Sequence, residues 1–194
     1  MKNKLLLLFF LLGVFFPLSA QESEVLISTS HTSLLLSTSQ GGELKFLYYG
    51  RKLTDADVHA IVSTESGSFS AYPVYGLNCP SESALSVQHE DGNMTLQMEV
   101  IGVETTHQEK ANLTVISLKD KVYPFYVKLC YKAYQDVDVI EAWTEISHKE
   151  KKNVKLNQLH LPIFPFVRAM SGYPVSTVLG QTRRVWCRNR WNRV

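Results

Sequence analysis

From Glu24 onward the chain alternates apolar and polar residues with a period of two, is rich in β-branched and aromatic side chains, and lacks sustained helical spacing. Strands patterned this way each leave one apolar face that a second sheet must cover, so the pattern predicts an all-β protein, an antiparallel β-sandwich. The stretch SLLLSTSQGGELKFLYYGRKL reads as two strands around the turn Ser39-Gln40-Gly41-Gly42, where glycine supplies the positive φ a tight turn needs. Ala84–Val87 and Met94–Ile101 flank His89-Glu90-Asp91-Gly92-Asn93, whose Asp-Gly pair predicts a second hairpin. Further strands are expected in NLTVISLKD, PFYVKLCYKAY and VDVIEAWTEIS. In the last, Val137, Val139, Glu141, Trp143 and Glu145 share one face, opposite Asp138, Ile140, Ala142, Thr144 and Ile146, and neither face is cleanly apolar. The Ser/Thr-rich stretch from Thr54 to Ser70 reads as a long surface loop, and Lys149 to Asn153 as a polar turn. A length of 194 residues excludes a complete (β/α)8 barrel, which needs about 250.

The formal charge of +2 conceals two unlike parts: residues 1–150 hold all 18 acids against 11 bases (−7), while residues 151–194 hold nine bases and no acid (+9). At the front, Lys2 and Lys4 precede an apolar run from Leu5 to Phe16 and the small-residue stretch Pro17-Leu18-Ser19-Ala20. This is the plan of a secretory signal peptide cut after Ala20, and its apolar run is shorter than the roughly 20 residues that span a bilayer. The expected location is therefore extracellular or periplasmic, with no membrane association after cleavage. Cys79, Cys130 and Cys187 are odd in number and widely spaced, unlike a disulfide framework or a zinc site. Cys130 reads as a small hydrophobe in a strand, and a Cys79–Cys130 bridge is left open.

Little in the sequence points to catalysis. Glycoside hydrolysis needs two carboxylates facing one scissile bond, and Asp136, Asp138, Glu141 and Glu145 form the one dense acidic set. Alternate acids on a strand more simply mark a solvated face. The six histidines (His31, His59, His89, His107, His148 and His160) show no metal-ligand spacing, and there is no GxSxG nucleophile elbow or phosphate-binding glycine pattern. Asn93-Met94-Thr95 and Asn112-Leu113-Thr114 fit the N-glycosylation pattern. No catalytic, cofactor-binding or metal-binding residue is assigned, and no cofactor is expected. Exposed aromatics among Tyr48, Tyr49, Tyr72, Tyr75 and Trp143 could instead stack on sugar rings, which makes a non-catalytic carbohydrate-binding sandwich the alternative. The basic end TRRVWCRNRWNRV, from Arg183 to Arg193, has the composition of a nucleic-acid or anionic-membrane tail, which fits poorly with an exported sandwich, so no nucleic-acid partner is expected.

Four segments in order, LKFLYYGRKL (Leu44–Leu53), AYPVYGLN (Ala71–Asn78), ALSVQHEDGNMTLQMEV (Ala84–Val100) and YPFYVKLCYKAYQDVDVIEAWTEISH (Tyr123–His148), resemble the N-terminal domain of glycoside hydrolase family 36 α-galactosidases. Tyr72-Pro73-Val74-Tyr75-Gly76 followed by Asp91-Gly92, and the strand ending Val139-Ile140-Glu141-Ala142-Trp143-Thr144, are the more specific parts. The resemblance covers most of Leu44 to about Leu159. It implies a β-supersandwich that in the whole enzyme packs on a (β/α)8 barrel followed by a C-terminal β-domain. It also implies hydrolysis of terminal α-galactosides with retention, by two barrel aspartates that have no counterpart here. Many members follow Tyr-Pro-x-Tyr/Phe-Gly with an Asp-Phe-Arg run where this chain has Leu77-Asn78-Cys79-Pro80-Ser81, so contacts tied to that run do not carry over.

After Leu159 the resemblance fades and the acids vanish. The codons for His160 to Tyr173, read from the last base of the Leu159 codon, permit ASAYLPIR, one variable residue and GNVWL; those for Ser176 to Arg183 permit LYGSWANE in the same register. Such segments are what the family has next, so the tail is expected to be an out-of-frame translation. The expected organisation is a signal peptide (1–20), an incomplete sandwich (21–159) and a disordered basic tail (160–194). Expected partners are α-galactoside oligosaccharides for the full-length relative, and a homo-oligomer.

Overall fold

A computed structural model describes residues 23–64, 69–76, 83–160 and 189–193, the last segment as backbone only. Two layers of mainly antiparallel strands enclose one apolar core. The first layer is a four-stranded sheet ordered β1 (Ser23–Ser28), β2 (Thr32–Thr38), β3 (Leu44–Arg51) and β4 (Phe69–Ser70). The second is a five-stranded sheet of β6 (Met98–His107), β7 (Ala111–Asp120), β8 (Phe125–Tyr134), β9 (Val139–His148) and β11 (Asn189–Arg193), ordered β11-β9-β8-β7-β6. A short pair, β5 (Leu85–Gln88) with β10 (Lys155–Leu159), extends the first layer through the Val74–Leu85 bridge and the Ala84 N–H to Pro73 carbonyl bond of 2.7 Å.

The core follows from the alternation. Phe125, Val127, Leu129, Tyr131 and Ala133 of β8 and Ile140, Ala142 and Ile146 of β9 face Ile27, Leu34, Leu36, Leu44 and Phe46 of the first layer, with Val74, Leu85 and Val87 beside them. Burying one such side chain removes it from water at about 1.5–3 kcal/mol, so this interface dominates the stability of the layers. The mixed faces of the Val137 to Ser147 stretch separate once the strand begins at Val139: Ile140, Ala142, Thr144, Ile146 and His148 are buried, and Glu141, Trp143 and Glu145 lie on the outer face.

The antiparallel expectation holds for every strand pair except β11 on β9, which is parallel, as is the Val74–Leu85 bridge. The expected β2–β3 hairpin forms, closed by the Gly42 N–H to Ser39 carbonyl bond of 2.8 Å with Gly42 at φ 80°.

Three expectations are corrected. The Thr54–Ser70 stretch is not simply a loop: Asp55–Thr64 forms α1. Thr54 caps it, its hydroxyl donating to Asp57 Oδ2 at 2.7 Å while the Asp57 N–H returns a 3.3 Å bond to that hydroxyl. The Asp-Gly turn forms at His89–Gly92, yet its flanking strands do not pair with each other. β5 takes β10 as partner and β6 takes β7, because the intervening Leu96 is drawn into the core, its N–H bonded to the Tyr75 carbonyl at 3.0 Å. The basic tail is not disordered at its end, where residues 189–193 form β11; a strand edge offers backbone donors and acceptors to any extended segment, whatever its side chains. The rest of the tail, the signal peptide and Cys79 lie outside the described residues.

Candidate functional site

The four acidic candidates are not brought together into a pair. Asp136 and Asp138 sit in the β8–β9 turn, and Glu141 and Glu145 on the outer face of β9. Asp138 adopts φ 51° and turns its carboxylate toward the β1–β2 turn, where Oδ1 accepts from the Thr29 hydroxyl and from the His31 N–H at 3.3 Å and Oδ2 accepts from the Thr32 hydroxyl at 3.2 Å. A carboxylate engaged in this way ties two turns together and is poorly disposed to attack a substrate. Glu141 and Glu145 stand opposite Lys132 and Lys128 of β8. Glu141 also accepts from the Tyr134 hydroxyl at 3.0 Å, and Glu145 from the Trp143 Nε1–H at 3.2 Å.

That outer face is the first candidate surface. The register lines up Val115, Cys130 and Trp143 across β7, β8 and β9, flanked by the two Lys/Glu pairs, with Lys132 Nζ 5.0 Å above the Tyr134 ring. Trp143 is half-buried, and its Nε1–H is already engaged. Cys130 lies buried in β8, as a small hydrophobe in a strand is expected to, and burial pushes its pKa up to about 11. The other proposed stacking aromatics divide. Tyr72 is buried in the core and Tyr49 packs against it, Tyr48 donates to the Arg51 carbonyl at 3.0 Å, and Tyr75 is exposed.

A second cluster was not legible in the sequence, where His89 is one scattered histidine among six. The His89 imidazole is buried, stacks on Tyr123 at 3.6 Å between centroids and 7° between planes, and meets the Phe125 ring edge-on at 6.1 Å. Nδ1 lies 2.9 Å from Glu150 Oε1, and since a carboxylate can only accept, Nδ1 carries the proton. The Tyr123 hydroxyl donates to Asp91 Oδ2 at 2.6 Å and receives the Asn93 side-chain amide at 3.0 Å. That Tyr123 bond holds the Asp91 carboxyl below the usual carboxylate range and pushes the Tyr123 hydroxyl upward. The cluster locks the Asp-Gly turn against the loop after β9. Beside it Glu90, Pro124, Lys149, Glu150, Lys151 and Lys152 line an open groove of about 440 Å³. Among the described residues no group of His, Cys, Asp and Glu is arranged to hold a metal ion.

Two sheets packed around one apolar core define a β-sandwich domain. The family model that matches is the glycosyl hydrolase family 36 N-terminal domain, over residues 42–181, and the chain belongs to that family. The match runs past Leu159, where the resemblance read from single residues fades. Among solved structures, the A355E variant of α-galactosidase AgaA from Geobacillus stearothermophilus superposes with a TM-score of 0.64 at 19% identity, over 71% of this chain and 24% of the enzyme. The α-galactosidase from Lactobacillus brevis gives 0.60 at 16%, over 73% and 23%. The galactosidase domain of the α-galactosidase-sucrose kinase AgaSK gives 0.61 at 17%, over 72% and 25%. These likenesses show the fold, and the chain spans about a quarter of each matched chain. AgaA variants were solved in complex with 1-deoxygalactonojirimycin, raffinose and stachyose. No curated protein matches.

Proposed function

We propose that the chain is the non-catalytic N-terminal β-domain of an exported α-galactosidase whose substrates are α-galactoside oligosaccharides of the raffinose and stachyose kind. The carrying observation is that the family match covers most of the sandwich, while three of the acids that might have served a glycosidase are engaged within it: Asp138 by two turns, Glu141 by the Tyr134 hydroxyl and Glu145 by the Trp143 indole N–H. Incubating the purified chain with a chromogenic α-galactoside is expected to give no turnover. Turnover that disappears with Asp138→Ala or Glu141→Ala would overturn the proposal.

Two parts of this reading concern residues outside the description. Export rests on the Met1–Ala20 signal pattern, and N-terminal sequencing of the exported protein is expected to begin at Gln21. The out-of-frame origin of residues 160–194 rests on the loss of acids and the shifted codon match, and the in-frame family match as far as residue 181 counts against it. Resequencing the gene past the Leu159 codon is expected to restore family-like sequence in the register shifted back by one base, and early stop codons there would refute it.

A second reading, a carbohydrate-binding module, is favoured by one observation: Trp143 lies half-buried on the open outer face between lysine and glutamate side chains. Galactoside titration followed by tryptophan fluorescence separates the two, a saturable change abolished by Trp143→Ala supporting the module.

A further inference from the structure

The turn after β5 is built on Asp91-Gly92, a dipeptide whose backbone rearranges readily. Glycine has no Cβ to shield its nitrogen, so that nitrogen can attack the carboxyl carbon of the preceding aspartate. The N–Cγ bond forms as one carboxyl oxygen leaves as water, taking the acid proton and the amide proton, and a five-membered imide results. Water then adds back. Cleavage of the N–Cγ bond restores aspartate, whereas cleavage of the bond from nitrogen to the Asp91 backbone carbonyl carbon gives isoaspartate, with a main chain one carbon longer. The fold cannot simply replace the glycine, because Gly92 has φ 85°, a conformation that L side chains rarely adopt. Both residues are exposed, so water has access to them.

In the folded chain each reacting group is held. The Gly92 N–H donates to the His89 carbonyl at 3.0 Å, and the His89 N–H closes the turn on the Asn93 carbonyl at 2.9 Å. The Asp91 carboxylate accepts from the Asn93 N–H at 3.0 Å on Oδ1 and from the Tyr123 hydroxyl at 2.6 Å on Oδ2. The neutral acid is the form that loses water, and these two donors favour the charged form, holding the carboxyl below the usual carboxylate range. The Tyr123 hydroxyl is itself positioned from behind. Its ring stacks on His89 at 3.6 Å, and the buried imidazole is fixed through Nδ1 by Glu150 at 2.9 Å. We propose that Asp91 is an isoaspartate-forming site and that Tyr123, seated on the buried His89–Glu150 pair, restrains the reaction through its hydroxyl bond to the carboxylate. Tyr123 is thus a positioning residue for a spontaneous modification of the turn.

The test follows isoaspartate at position 91 by peptide mapping of the full chain aged at neutral pH. Tyr123→Phe keeps the ring on His89 and removes the hydroxyl, and is expected to raise the rate about fivefold, the factor that one hydrogen bond is worth. In urea above the unfolding transition, where every bond of the turn is lost, the parent is expected to react at least about tenfold faster than when folded. Thr54→Ala, which loosens α1, is expected to leave the rate unchanged and so separates the hydroxyl from general destabilisation. Hydrogen exchange on β7 and β8 checks that each variant keeps its fold, and the urea comparison stands even where Tyr123→Phe does not. Equal rates for folded and unfolded parent, a folded Tyr123→Phe that ages like the parent, or Thr54→Ala accelerating as much as Tyr123→Phe overturns the proposal.

Discussion

Asp138 joins two turns that lie more than 100 positions apart in the chain, gathering two hydroxyls and a backbone N–H onto one carboxylate while itself adopting a left-handed φ of 51°. Aspartate and asparagine tolerate that region better than other side chains with a Cβ, because a short polar group can bond locally there. Asp138→Ala loses both the acceptor and the tolerated backbone, and is expected to destabilise the fold by about 2–3 kcal/mol in urea unfolding. Asp138→Gly restores the backbone freedom and recovers only part of that loss; equal stability of the two variants would show that the carboxylate contributes nothing. The sequence marks Asp138 as one acid of four, and only its partners in the β1–β2 turn show what it does. Gly76 is similar. The Tyr-Pro-Val-Tyr-Gly element is visible in the sequence, but the need for glycine arises from a φ of 96° and from Thr95, whose Cγ2 would lie 2.4 Å from an added Cβ.

Among elements, α1 is the one that period-two reasoning passes over. Its residues Asp55-Ala56-Asp57-Val58 sit in a stretch rich in serine and threonine, and only Val58 is buried, so no apolar stripe announces a helix. The legible signal is Thr54 followed three positions later by Asp57, a reciprocal cap with two acids in the first turn where the helix dipole favours them. Thr54→Ala is expected to cost about 1 kcal/mol of stability and to raise amide exchange within α1, leaving β7 and β8 unchanged. Equal exchange in α1 before and after would count against the cap. The β2–β3 hairpin was legible because its turn and both strands are contiguous. The β5–β10 pair was not, since about 65 residues separate the partners and nothing local in β5 names β10 over β6.

For the whole molecule the buried acids on the alkaline side matter most. Burial raises the hydroxyls of Tyr72 and Tyr131 above their ordinary value of 10.0 and pushes the Cys130 thiol from 9.0 up to about 11. In each case the folded state holds its proton more tightly than the unfolded chain. The stability linked to these protons is therefore complete below about pH 9 and drains away as pH rises through 9 to 11 for Cys130 and beyond 10 for the tyrosines. Urea midpoints are expected to fall steadily from pH 9 to 11, and Cys130→Ala to flatten the first part of that fall. A midpoint constant over this range would contradict the burial of these groups.

The sequence by itself determined the class of fold and the family, since both reside in local alternation and in contiguous motifs such as Tyr72–Gly76 and Val139–Thr144. It also determined which residues of β8 and β9 would be apolar enough to meet a second sheet. The tertiary structure decided which strands became neighbours, that His89, Glu150, Tyr123 and Asp91 form one cluster, and that Asp138, Glu141 and Glu145 engage different partners. The physical reason is range. Alternation and turn chemistry act over a few residues, whereas strand order and side-chain clusters are fixed by the shared burial of surfaces far apart in the chain, which no local pattern encodes.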